Sequence, residues 1–103
     1  MILYNVTCSV TQEVENQWLE WVDLQLNNIS KSEKISGISI LKLNTKSSTE
    51  ELIYALQYKI TDPNTLENFL NNEDKTLKDR IKRNFGDAVL HFSSQLEIIN
   101  KYP

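Results

Sequence analysis

Few residues of this chain are of a type that does chemistry. His91 is the one histidine and Cys8 the one cysteine. An imidazole ionises near neutral pH, so His91 is the candidate general base or proton shuttle. No Asp or Glu is placed by sequence to orient its ring. The competing reading is a polar side chain satisfied at a seam between two copies of the chain. Cys8 falls on the apolar side of an alternating run. A thiolate nucleophile needs an accessible, electropositive setting, so Cys8 reads as a buried structural thiol. Tyr4, Trp18, Trp21, Tyr58 and Phe69 are a candidate pocket for a flat apolar ligand. Aromatic residues at such spacing also build plain cores. Trp18 and Trp21 are three residues apart, which argues against full burial of both indoles. The run Lys75, Lys78, Arg80, Lys82 and Arg83 interleaves with Asp74 and Asp79 and reads as a solvated helix face.

Positioning these residues requires four strands and two helices. Ile2, Tyr4, Val6, Cys8 and Val10 alternate with Leu3, Asn5, Thr7 and Ser9, which is strand periodicity. Thr11 stands where an N-cap belongs, before Glu13 and Glu15. Val14, Trp18, Trp21, Val22 and Ile29 then recur with helical spacing, widened by Leu19 and Leu26. A second strand covers about Ile35 to Leu43. Its blurred alternation fits an edge strand, a bulge at Gly37, or burial on both sides. Lys46 to Glu51 reads as a polar turn longer than two residues. The third strand, Leu52 to Thr61, sets Leu52, Tyr54, Leu56, Tyr58 and Ile60 against Ile53, Ala55, Gln57 and Lys59. Asp62-Pro63 opens the second helix. Leu66, Phe69, Leu70, Leu77, Ile81 and Phe85 form its stripe, with a kink or split expected at Asn71 to Asp74. Gly86 suits a left-handed cap behind Lys82 and Arg83. The fourth strand, Ala88 to Ile99, carries Leu90, Phe92, Leu96 and Ile98 on one face and Val89, His91, Ser93, Gln95 and Glu97 on the other. The apolar set is expected under the helices.

This strand, helix, strand, strand, helix, strand order predicts a ferredoxin-like α+β fold. It has a four-stranded antiparallel sheet, order 4-1-3-2, with both helices on one face. At 103 residues the chain fits one domain, 1-103. On the free sheet face the sequence then gathers Asn5, Thr7, Ala55, Gln57, His91, Ser93 and Gln95, among Leu3, Leu41, Ile53 and Val89. Such a face is too apolar for water, and pairing with a second copy would bury it.

Four segments carry a resemblance: Met1-Ile2-Leu3-Tyr4-Asn5-Val6-Thr7, Trp18-Leu19-Glu20-Trp21, Tyr54-Ala55-Leu56-Gln57-Tyr58, and Asn84-Phe85-Gly86-Asp87 with the closing Leu96-Glu97-Ile98-Ile99. The chain resembles a family of short, uncharacterised bacterial proteins, one of the domain-of-unknown-function families. The resemblance implies a ferredoxin-like dimeric α/β barrel and supplies no activity and no catalytic residues. At fold level it is similar to small monooxygenases, isomerases and ligand-sensing modules, an analogy that assigns no chemistry.

Several classes are excluded. The net charge of −3 opposes broad binding of phosphates. Leu52 to Tyr58 lacks the basic-Gly-aromatic signature of an RNA-recognition strand. Val10-Thr11-Gln12 lacks the cysteines of a metallochaperone loop, and a single cysteine cannot build a thiolate cluster. Gly37 and Gly86 alone cannot form a phosphate loop. The first apolar run is too short and polar for a signal peptide or a membrane span. The expectation is a cytosolic homodimer that self-associates and takes a small molecule as a further partner. No cofactor, metal, nucleic acid or membrane enters it. The alternative is a cofactor-free monooxygenase or isomerase.

Overall fold

The computed structural model describes residues 1–32, 34–44 and 51–103. The elements run β1 (Ile2–Thr11), a 3-10 turn (Gln12–Val14), α1 (Glu15–Ser30), β2 (Ile35–Lys42), β3 (Glu51–Ile60), α2 (Pro63–Asn71), α3 (Glu73–Phe85), a 3-10 turn (Gly86–Ala88) and β4 (Val89–Glu97). The strands pair antiparallel in the order β2-β3-β1-β4. The sheet is an open ferredoxin-like α+β sheet with two free edges, not a closed barrel.

Alternation in the two central strands becomes burial. Tyr4, Val6, Cys8 and Val10 of β1 are buried with Tyr54, Leu56, Tyr58 and Ile60 of β3. They meet Trp18, Val22 and Leu26 of α1, Leu66 and Phe69 of α2, and Leu77 and Ile81 of α3 in one core. Trp18 is fully buried and Trp21 packs at the core's margin. At about 1.5–3 kcal/mol for each large apolar side chain removed from water, this set dominates the fold's stability.

Local chemistry sets the boundaries. Asp62 Oδ1 accepts from the Thr65 backbone N–H at 2.8 Å, and Pro63 occupies the first turn of α2. The second helical stretch splits at Asn72 into α2 and α3, in the polar interruption. A register shift between Ile35 and Gly37 places the bulge in edge strand β2. Thr11 is different from expectation. Its side chain makes no cap bond, and a 3-10 turn intervenes before α1 begins at Glu15. Gly86 has φ 56° and ψ −134°, positive in φ but outside the left-handed helical well. The expected turn from Lys46 onward lies outside the described residues as far as residue 50.

Strand β4 is the main correction. Residues directly paired across an antiparallel ladder point to the same side. Val89 pairs with Val10, His91 with Cys8, Ser93 with Val6 and Gln95 with Tyr4. These four therefore lie on the helix side. Leu90 pairs with Ser9, Phe92 with Thr7 and Leu96 with Leu3, which puts them on the free face. They are 55%, 65% and 49% exposed. The expected orientation of His91, Ser93, Gln95 and Val89 is thus reversed. The physical reason is that the β4 edge meets a charged patch of α3, which Ser93 satisfies and Phe92 could not.

Candidate functional site

The polar centre of the molecule is built around Tyr4, near the start of the helix-facing side of β1. Tyr4 OH donates to Asp74 Oδ2 of α3 at 2.8 Å. Lys78, one turn on, donates to Tyr4 OH at 2.7 Å and to Ser93 Oγ at 2.6 Å, and lies 2.9 Å from Asp74 Oδ2. An ammonium has three protons, so these three contacts engage all of Lys78's donors. It stands over the Tyr4 ring at 5.4 Å. Asp74 is only 2% exposed, the one buried charged residue among those described. Its Oδ1, like the Tyr58 hydroxyl, is buried with no hydrogen-bond partner among the described residues. Such orphaned atoms cost about 1–3 kcal/mol each unless something reaches them.

Burial governs the titration of this cluster. It raises the Tyr4 phenol above its ordinary 10, with Lys78 and Ser93 opposing. Burial acting on Lys78 would lower its pKa, but the bonds to Tyr4 and Asp74 outweigh it and hold the ammonium above the usual lysine range. Burial, reinforced by Asp74, also raises Tyr58. Burial pushes the Cys8 thiol up to about 12, with Lys78 pulling the other way, so Cys8 is a neutral thiol at physiological pH. The His91 imidazole is lowered by burial first and by the Lys78 charge second. A neutral imidazole on the helix side of the edge is the result.

The aromatic candidates divide into separate groups. Tyr4, Tyr58 and Phe69 come together, with ring centroids 4.7–6.0 Å apart. Trp18 sits instead against Tyr54 at 5.1 Å, and Trp21 edge-on to Phe85 at 5.4 Å. Buried Trp18 leaves its indole Nε1 without a partner among the described residues. A groove of about 340 Å³ between α1 and α3 is lined by Gln25, Ile29, Thr76, Leu77 and Arg80, and includes neither tryptophan nor His91. Sequence neighbourhood alone places Asp74 and Lys78 on a solvated face. The signal that places them inward is spacing. Asp74, Leu77, Lys78 and Ile81 stand at i, i+3, i+4 and i+7, a charged pair inside the apolar stripe.

On the opposite side of the sheet Asn5, Thr7, Ala55 and Gln57 share a face, as expected. Asn5 Nδ2 donates to Thr7 Oγ1 at 3.0 Å. Around them stand Leu3, Leu41, Ile53, Leu90, Phe92 and Leu96. Leu43 continues the β2 ladder by donating its N–H to the Ile53 carbonyl at 2.9 Å. A depression of about 360 Å³ opens there, lined by Thr7, Leu41, Leu43, Ile53 and Ala55. No three His, Cys, Asp or Glu side chains gather as metal ligands among the described residues. Among the described residues no helix is long and apolar enough to cross a membrane.

The model of a family described as a domain of unknown function, DUF4286, matches residues 1–99. No curated protein matches the sequence. Among solved structures, the chain is similar to a dimeric ferredoxin-like protein from an uncultured marine organism. The TM-score is 0.73 at 14% identity, over 98% of each chain. It is similar also to an ethyl tert-butyl ether D family protein from Bacillus halodurans C-125, with TM-score 0.66, 11% identity, and coverage of 95% and 100%. A de novo designed protein, Foldit4, gives TM-score 0.62 at 9% identity, over 94% and 97%. At these identities the likeness is one of fold.

Proposed function

The chain belongs to the DUF4286 family, and for this member we propose self-association: a ferredoxin-like domain, 1-103, that works as a cytosolic homodimer joined through the free face of its sheet. One observation carries the reading. Leu41, Leu43, Leu90, Phe92 and Leu96 on that face stand between 45% and 65% exposed. Leaving a contiguous apolar sheet face in water is unfavourable, and a second copy offers a self-complementary cover. The reversal of β4 strengthens the case, because it adds Leu90, Phe92 and Leu96 to this face in place of His91, Ser93 and Gln95. The dimeric structural neighbour supports the same reading. A lone buried thiol suits a reducing compartment.

Light scattering at micromolar concentration tests the proposal. The expected mass is about 24 kDa, twice the 12.0 kDa of one chain. Ala55→Glu with Gln57→Glu sets like charges at the centre and splits the dimer. A wild-type mass near 12 kDa overturns the proposal.

A second reading is small-molecule binding at the aromatic cluster Tyr4, Tyr58 and Phe69, where a cofactor-free oxygenase or isomerase would hold its substrate. The orphaned Asp74 Oδ1 and Tyr58 hydroxyl favour it. Native mass spectrometry of the purified protein reads it directly. The expected result is added mass that Tyr58→Phe abolishes, and a bare wild-type mass overturns it.

A further inference from the structure

Resting on the dimer reading, we infer that the segment beyond β4, Ile98–Pro103, seats on the partner copy in the apolar depression formed by Leu41, Leu43, Ile53, Ala55 and Thr7. The Ile98 N–H donates to the Met1 carbonyl at 3.2 Å, so the chain leaves along the line of β4. Ile99 is then 94% exposed and Tyr102 84% exposed. Two large apolar side chains therefore find no cover on their own copy. The depression is itself lined by apolar side chains on the free face.

Their positions exclude an intrachain contact. The segment leaves beside Ile2 and Ile60, at the β4 edge and one end of the sheet. The depression lies beside Leu41 and Ile53, toward the β2 edge and the other end. These are diagonally opposite corners of the sheet. At about 3.4 Å per residue, the ten residues of β1 separate the two ends by ~34 Å. A two-fold axis lying in the interface and running obliquely across the strands exchanges the two corners. Each copy's segment then meets the other's depression, and both contacts form together, as a closed two-fold interface requires. Area favours the same occupant. Four strands about 4.8 Å apart and ~34 Å long give a face of roughly 650 Å². Stable interfaces bury about 800 Å² of accessible surface per partner, and the segment adds to what the sheet face supplies.

Paired cysteines test the contact. Leu43→Cys with Ile99→Cys, and separately Leu41→Cys with Tyr102→Cys, are oxidised with copper phenanthroline and run on non-reducing gels. Buried Cys8 is a constant background. Lys59→Cys with Ile99→Cys is the control, because Lys59 shares the face but lies at its other end. The expected result is a covalent dimer near 24 kDa from either test pair, at least ten times faster than from the control. Equal rates, or no covalent dimer from both test pairs, overturn the inference. Light scattering on the same samples separates the two ideas. A dimeric mass without cross-linking removes the segment's placement alone, whereas a monomeric mass removes the dimer as well.

Discussion

Asp74 and Lys78 show how a charged pair can hold a core open to polar chemistry. The Asp74 side chain is 3% exposed and that of Lys78 24%. Removing Lys78 leaves a carboxylate with only Tyr4 to hydrogen-bond it. Lys78→Met should therefore cost about 2–4 kcal/mol in urea unfolding, less than a wholly buried pair because Lys78 keeps some solvent contact. Adding Asp74→Leu should recover most of the loss, since an apolar pair replaces the ion pair. A double variant as unstable as the single one would refute this account. His91 makes a pH prediction. Its folded pKa lies below the ordinary 6.5, so the unfolded chain binds the proton more tightly. The stabilising contribution is complete above pH 6.5 and is lost as the pH falls through the folded value. His91→Gln should flatten the dependence of unfolding free energy on pH as the pH falls below 6.5. An unchanged slope counts against burial of His91. Much of this site was hidden in the sequence. Tyr4, Tyr58 and Phe69 were legible as aromatic residues of one layer, but Asp74 reads as surface charge until α3 is seen to turn it inward.

At the scale of elements, β1 and β3 were fully legible, because each alternates and both are central, so the apolar set has to face the helices. The break between α2 and α3 was legible from low-propensity residues around Asn72. Strand β4 was not. Its alternation fixes two faces but not which one is inside, and the larger apolar side chains are the outer ones. Pattern reading assumes that the more apolar face of a strand is the buried one, and β4, with Leu90, Phe92 and Leu96 on its open face, violates that assumption. A pair of neighbouring substitutions settles the orientation. Val89 is 3% exposed and Leu90 55%. Val89→Glu should unfold the monomer, because an unpaired buried charge outweighs much of a stability of ~5–15 kcal/mol. Leu90→Glu should leave a folded chain with native-like circular dichroism and weakened association. Reversed outcomes would restore the orientation expected from sequence. Gly86 gives a quieter test. An added Cβ there meets nothing within 4 Å, so the cost of Gly86→Ala comes from its φ of 56° alone. The expected loss is about 1–2 kcal/mol in chemical unfolding, and a neutral substitution would contradict that backbone conformation.

For the whole molecule, the proposed sheet-to-sheet association would couple folding to concentration. If the native state is a dimer and the unfolded state is two separate chains, mass action favours the fold as protein is added. Two chains of 103 residues absorb roughly 140 kcal/mol on melting near 60 °C, at about 0.7 kcal/mol per residue. Each tenfold increase in concentration should then raise the melting temperature by about 3–4 °C. Measured by circular dichroism from 2 to 200 µM, the wild type should shift by roughly twice that amount. The variant carrying Ala55→Glu and Gln57→Glu should melt at a lower temperature that is independent of concentration. Ser39 and Gln57 pair across β2 and β3 on the same face, so the added charges also meet polar neighbours and the monomer should still fold. A wild-type melting temperature that stays constant across this range would mean that Leu90, Phe92 and Leu96 face water in the working protein. The apolar face would then need a different partner.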